Sequence, residues 1–339
     1  MVQSDSVSID NVVTYIVIVV VKEASYYKGI QAQNEIISII PETHQGRTRQ
    51  TMKNIVALIR PHQYFKNLFI ILPLFFAGQI DSPGLLLKAF LACAAFCLTA
   101  SSIYILNDLM DINEDRLHPR KKTRPLAAGT ISPHTAKALM AVFFLAGVIF
   151  MAFLAQSSLL ILGVYVTLNI SYSYYLKHIA IVDISIIATG FVLRLFIGAV
   201  VTGVELSKWI VIMTFLLALF LALAKRRDDI LIFLDSGKKM RKALDGYNLK
   251  FIDGAMIIMA SVVIVAYILY TVSQDVIQRL HSDYLYITAL FVVIGIMRYM
   301  QIVFVEQDAG SPTKILLGDR FIQLTILVWM IFFAWILYG

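Results

Sequence analysis

Four oxygen-bearing side chains recur near the end of a long apolar run: Asn107, Asp108, Asp111 and Asp115. On an α-helix they fall within an arc of about 100°. Carboxylates crowded in this way repel one another unless a cation sits among them. Hard oxygen ligands select Mg2+ or Ca2+ over zinc or copper. Mg2+ held by only a few carboxylates completes its shell with water and substrate phosphates. Bases follow at once at Arg116, Arg120, Lys121, Lys122 and Arg124, placed to meet the rest of a phosphate's charge. The pattern is read as a diphosphate–Mg2+ site. The plainer alternative is a solvated, charge-balanced loop between two apolar helices.

Further along, Lys225-Arg226-Arg227-Asp228-Asp229 closes another apolar run and mirrors the first cluster. Two acidic sites at one depth are what a two-ion diphosphate clamp needs. Taken alone, such a run is more often a topology anchor. Arg194 lies within Gly190-Phe-Val-Leu-Arg-Leu-Phe-Ile-Gly198, inside an apolar stretch where a charge is costly and usually functional. Its charge is expected to be compensated by a neighbouring acid or by bound phosphate. Tyr172 and Lys177, in Tyr-Ser-Tyr-Tyr-Leu-Lys-His178 with Asp183 beyond, supply hydroxyls and a cation at the mouth of a further run.

The elements that must position these groups are membrane helices. The 339 residues are 59% hydrophobic with mean hydropathy +0.78, more apolar surface than a soluble fold of this length can cover. Apolar runs give about nine candidate spans, at 60–79, 85–108, 134–155, 157–176, 180–203, 208–226, 254–274, 283–305 and 318–338. The expected fold is therefore all-α, a polytopic bundle with a single catalytic domain over 52–339. Lys and Arg concentrate in alternate loops, with only Lys88, Lys208 and Arg279 near the opposite face. The positive-inside rule then puts the N-terminus and the charged loops in the cytoplasm and the C-terminus outside. Cys93 and Cys97 are read as small core residues, since no other thiol exists to complete a zinc site or disulfide framework. The scattered histidines form no metal motif.

Residues 1–51 do not fit the pattern. Val12 to Val21 is apolar, but about ten residues cannot cross a bilayer, and the run lacks the flanks of a signal peptide. Met52-Lys-Asn followed by Ile-Val-Ala-Leu-Ile-Arg-Pro reads as a natural start. The first 51 residues are expected to be a poorly ordered extension, or an upstream start that the cell does not use.

Asn107-Asp108-x-x-Asp111-x-x-x-Asp115 resembles the first signature of the UbiA-type intramembrane prenyltransferase superfamily. The nine-span layout and the second acidic motif after the sixth span are similar as well. Within it, Arg60-Pro-His-Gln-Tyr-Phe-Lys-Asn67, His118-Pro-x-Lys-x-x-Arg-Pro125, Leu176-Lys-His178 with Asp183, and Gly190-Phe-Val-Leu-Arg194 most resemble the branch of decaprenyl-phosphate phosphoribosyltransferases. The likeness runs over roughly residues 55 to 338. In one respect the chain departs from the superfamily: members that prenylate aromatic rings typically carry a more widely spaced second acidic pair, compressed here to Asp228-Asp229.

The branch implies Mg2+-dependent transfer of 5-phosphoribose from phosphoribosyl diphosphate to a polyprenyl phosphate, with release of diphosphate. Its partners are a phosphorylated soluble donor and a polyprenyl phosphate lipid, with no nucleic acid, at the cytoplasmic face of the plasma (inner) membrane. A homo-oligomer is compatible with the sequence but not demanded by it. The resemblance assigns Asn107, Asp108, Asp111 and Asp115 to one ion, with the three aspartates as the catalytic carboxylates, and Asp228 and Asp229 to a second. It assigns Lys66 to the acceptor phosphate, and Asn67, Lys121, Arg124, Tyr172, Lys177, Arg194, Lys225 and Arg226 to substrate binding. Two alternatives stay open: prenyl transfer to an aromatic acceptor on the same fold, and cation-coupled transport. Transport is disfavoured because the acids sit at helix ends on one face rather than at the bilayer midplane.

Overall fold

The computed structural model describes residues 44–117, 121–236, 242–280, 282–307 and 312–338. Most of the expected extension, residues 1–43, and the motif residues His118 and Arg120 lie outside the described residues. Among those described the regular elements are all helices. Helix α1 is His44–Ile59, followed by a 3-10 segment Pro61–Ile70 and the short α2, Leu72–Phe76. Then come α3 (Pro83–Met110), α4 (Ile112–Leu117), α5 (Pro133–Leu154), α6 (Ser158–Tyr174) and α7 (Val182–Thr202). The chain closes with α8 (Lys208–Ser236), α9 (Leu249–Thr271), α10 (Gln274–Leu280), α11 (Ala289–Phe304), α12 (Pro312–Gly318) and α13 (Arg320–Tyr338).

Among the described residues, seven helices are long and apolar enough to cross a bilayer, and α6 is a shorter apolar helix. The expected span at 60–79 is not one helix. Arg60 sits in the left-handed region (φ 53, ψ 61) ahead of Pro61, whose ring disfavours a right-handed helical conformation at the residue before it. The helix therefore ends at Ile59 and the chain restarts as a tighter 3-10 segment. The boundary at 51/52 falls inside α1, His44–Ile59. The anchoring side chains of α1 nonetheless come after it: Leu58 is fully buried, with Ile55 and Ile59 packed against the same small cluster.

The two largest apolar clusters join most of the long helices. One joins α3, α5, α6 and α7 through Phe96, Ile103, Met151, Leu162 and Ile197. The other joins α8, α9 and α11 through Phe220, Met256 and Ile302. Helix α3 is the most enclosed of the long apolar helices, since its Ala-Cys-Ala-Ala and Thr-Ala-Ser-Ser stretches let neighbouring backbones come close. On α7, a Cβ at Gly198 would lie 1.9 Å from the Ile70 carbonyl oxygen. Only glycine lets the 3-10 segment lie directly on α7, and that contact sets Lys66 and Asn67 beside the bundle interior.

Helix α7 begins on a strained residue. Ile181, at its N-cap, has φ 68 and ψ −46, a conformation that costs on the order of 1–3 kcal/mol and persists only where the surroundings enforce it.

Candidate active site

Asn107 and Asp108 end α3, Asp111 is its C-cap residue, and Asp115 lies on α4. The expected single helix is thus interrupted at Asp111 (φ −94, ψ 9). The i to i−4 bonds nevertheless run through, from Asp111 N–H to Asn107 O (3.0 Å) and from Asp115 N–H to Asp111 O (2.8 Å). The four side chains keep their common face.

The carboxylates of Asp108 and Asp115 converge on one nitrogen. Arg124 Nη1 donates to Asp108 Oδ1 at 3.0 Å and to Asp115 Oδ2 at 2.6 Å. Arg60 also donates to Asp108, and Lys121 Nζ is 3.6 Å from Asp115. Lys177 Nζ lies 2.7 Å from Asp111, and Ser173 donates to the Asn107 side-chain oxygen. Both Asp108 and Asp115 are buried. Buried carboxylates need compensation, and here bases supply it. Among the described residues no three His, Cys, Asp or Glu side chains form a ready cage for an ion. The donor set is the one Mg2+ prefers, oxygens only, and a guanidinium nitrogen marks the point where positive charge is held.

A second polar centre borders the first. Asp183, fully buried on the first turn of α7, accepts from Arg226 Nε (2.6 Å) and from the Tyr247 hydroxyl (2.7 Å). Arg226 also donates through Nη1 to Asp229 (2.6 Å), and the Tyr172 hydroxyl bears electrostatically on it. Burial, with Asp183 adding to it, pushes the Tyr247 phenol well above its ordinary value, so the group remains a hydrogen-bond donor. The run 225–229 is not the end of its helix, because α8 continues to Ser236. Lys225 is exposed, while Asp228 and Asp229 are half-buried. Arg227 turns away to Asp253 (2.8 Å) and the Val303 carbonyl (2.8 Å), tying α8 to α9 and α11.

Of the two compensations expected for Arg194, a neighbouring acid is not what the structure places beside it. No ion pair joins it to a carboxylate among the described residues. Its Nε donates to Asn67 Oδ1 (2.8 Å), Nη1 to the Gly190 carbonyl (2.6 Å) and Nη2 to the Tyr165 hydroxyl (3.4 Å). The guanidinium also lies over the rings of Phe96, Tyr165 and Phe191, at 4.9, 5.3 and 5.3 Å. Each nitrogen donates one bond to protein, and dipoles and π faces surround the charge. Lys66 lies in the fields of Arg194 and Arg60, and no carboxylate among the described residues forms an ion pair with it.

The structure thus gathers Asn107, Asp108, Asp111, Asp115, Lys121, Arg124 and Lys177 in one centre, and Arg226 with Asp229 in the adjoining one. Asn67, Lys66 and Arg194 form a third group, deeper in the bundle. Arg60, Ser173 and Tyr247 are contributors that the site reading of the sequence left out. The signal for Arg60 was present, a charge directly before Pro61 at the edge of an apolar run.

The UbiA prenyltransferase family profile matches residues 67–325. The decaprenyl-phosphate phosphoribosyltransferase of Mycolicibacterium smegmatis is 30% identical over 298 residues, covering 84% of this chain and 92% of that one. The enzyme of the same name from Corynebacterium glutamicum is 31% identical over 294 residues, covering 84% and 88%. Among solved structures, a UbiA homolog from Archaeoglobus fulgidus bound to DMAPP and Mg2+ superimposes with TM-score 0.62 at 17% identity, over 82% of this chain and 98% of that one. With these matches added to an all-helical membrane bundle that carries Asn107-Asp108-x-x-Asp111-x-x-x-Asp115 at a helix end, the chain belongs to the UbiA prenyltransferase family and is a membrane-embedded transferase.

Proposed function

We propose that the protein transfers 5-phosphoribose from 5-phosphoribosyl 1-diphosphate to a polyprenyl phosphate at the cytoplasmic face of the plasma membrane. The observation that carries this reading is the convergence of Asp108 and Asp115 on one cationic nitrogen, ringed by Arg60, Lys121 and Lys177. A donor with both a diphosphate and a 5-phosphate carries more charge than a prenyl diphosphate, and a surplus of bases suits it. The names of the relatives at 30% and 31% identity, decaprenyl-phosphate phosphoribosyltransferases, support the same transferred group and acceptor.

In this reading Asn107, Asp108, Asp111 and Asp115 would hold Mg2+, with Asp228 and Asp229 toward a second ion. When bound, the metal supplies charge neutralisation for the departing diphosphate. The chain's bases do the rest of the binding. Lys121, Arg124 and Lys177 exchange their carboxylate partners for phosphate oxygens, and Lys225, Arg226 and Tyr172 line the adjoining side. Lys66 draws the acceptor phosphate, and Arg194 acts on substrate through Asn67, whose side chain it orients.

The bond from the anomeric carbon to diphosphate breaks, and the electron pair leaves with diphosphate. A new bond forms from that carbon to an oxygen of the lipid phosphate. That oxygen is already anionic at neutral pH, so no general base is needed, unlike attack by a neutral hydroxyl. Purified protein incubated with Mg2+, labelled phosphoribosyl diphosphate and polyprenyl phosphate tests this by the appearance of lipid-extractable phosphoribose. Label transferred only from a prenyl diphosphate to an aromatic acceptor would favour the ring-prenylating alternative.

A further inference from the structure

We propose that Tyr247 is a positioning residue for the transfer reaction, holding the segment that carries Lys177 against the first acidic centre; this rests on the role given to Lys177 above. The segment is short. Lys177 belongs to a 3-10 turn, Leu176–His178, and three residues separate that turn from α7. The turn into α7 is made at Ile181, a β-branched residue with positive φ. Such a conformation relaxes unless neighbours hold it.

The neighbour that holds it is Tyr247. Its hydroxyl accepts from the Ile181 N–H at 2.6 Å and donates to Asp183 Oδ1 at 2.7 Å. One oxygen atom thus fixes both sides of the strained residue. Asp183 is held from its other oxygen by Arg226 (2.6 Å), which also grips Asp229 (2.6 Å). The stretch before Tyr247 is seated as closely: a Cβ on Gly246 would lie 2.5 Å from the Ala180 Cβ. Removal of the hydroxyl leaves the Ile181 N–H and one Asp183 oxygen without their bonds, so the turn can relax and carry Lys177 away from Asp111. Tyr247 therefore links the second polar centre to the first without touching substrate.

The test uses the full chain purified in detergent, with Tyr247→Phe, Lys177→Ala and the double variant. Tyr247→Phe is expected to lower kcat about tenfold with the lipid KM unchanged, and to cost less than about twofold once Lys177 is already alanine. Hydrogen exchange in the peptide spanning 176–183, read without substrate, is expected to rise at least tenfold in Tyr247→Phe. Gly246→Ala, which keeps the hydroxyl but crowds Ala180, gives a second route to the same two readouts if Tyr247→Phe folds poorly. Unchanged exchange in 176–183, or a kcat loss that is fully additive with Lys177→Ala, overturns the proposal. If the wild-type protein does not use phosphoribosyl diphosphate, the donor assignment falls, while the exchange measurement still decides the role of Tyr247.

Discussion

Lys177 and Asp111 stand 66 positions apart and form a 2.7 Å ion pair. The contact joins the segment after α6 to the break between α3 and α4, and so closes the rim of the acidic centre. Asp111 is half-buried at that break, outside the apolar cores.

That location sets the first prediction. Asp111→Asn keeps the side-chain shape and removes one negative charge from a polar rim. Turnover is expected to fall at least about a hundredfold, roughly 2.7 kcal/mol in barrier. The apparent Tm should stay within about two degrees, as expected of a surface change away from core packing. Steady-state kinetics beside a thermal scan checks both. Activity above about a tenth of wild type removes Asp111 from the essential ligands.

Arg194 leads to the opposite expectation. Its fork is already committed to Asn67, Gly190 and Tyr165. Arg194→Lys keeps the charge but cannot serve all three acceptors, and each buried acceptor left unsatisfied costs about 1–3 kcal/mol. The apparent Tm is expected to drop by several degrees, and any rise in substrate KM, from the released Asn67 side chain, to come only together with that loss of stability. A large rise in the donor KM at unchanged stability would return Arg194 to direct phosphate binding.

The Arg226–Asp183 pair is buried on both sides, at 1% and 0% exposure. Breaking such a pair from one side leaves an uncompensated charge and costs about 3–5 kcal/mol. Arg226→Met should therefore unfold at markedly lower temperature than wild type. Adding Asp183→Asn should recover a large part of the loss. Equal destabilisation of the single and double variants would show that the charge pair is not the cause.

A chain beginning at Met52 keeps Ile55, Leu58 and Ile59, the side chains through which α1 joins its apolar cluster. It is expected to insert and turn over like the full chain, in a membrane-fraction assay of the two side by side. Loss of activity would assign residues 1–51 a part in the enzyme.

Much of this architecture was legible in the chain, and the exceptions have physical causes. The run 85–108 became α3 at Pro83–Met110, because no glycine or proline falls between Leu85 and Met110. The run at 60–79 became a 3-10 segment and the short α2, with Pro61 closing α1 ahead of it, which average hydropathy cannot register. Lys225–Asp229 read as a helix end, yet the helix continues through it. Lysine and arginine are good helix formers, and Arg226 pairs with Asp229 one turn on. The ligand face at Asn107–Asp115 was readable from spacing alone. Its partners were not: Arg60 lies 48 positions from Asp108 and Tyr247 lies 64 from Asp183. Such contacts arise from packing of separate helices, which local periodicity does not encode.

The most direct measurement follows two labels on the donor through one reaction. Phosphoribosyl diphosphate labelled in the ribose and, separately, in the β-phosphate is incubated with Mg2+, polyprenyl phosphate and the purified protein. The ribose label is expected to enter the lipid phase and the β-phosphate label to appear as free diphosphate, in equal amounts and only with Mg2+ present. β-Phosphate label in the lipid, or no lipid labelling while a prenyl diphosphate is consumed with an aromatic acceptor, would contradict the account.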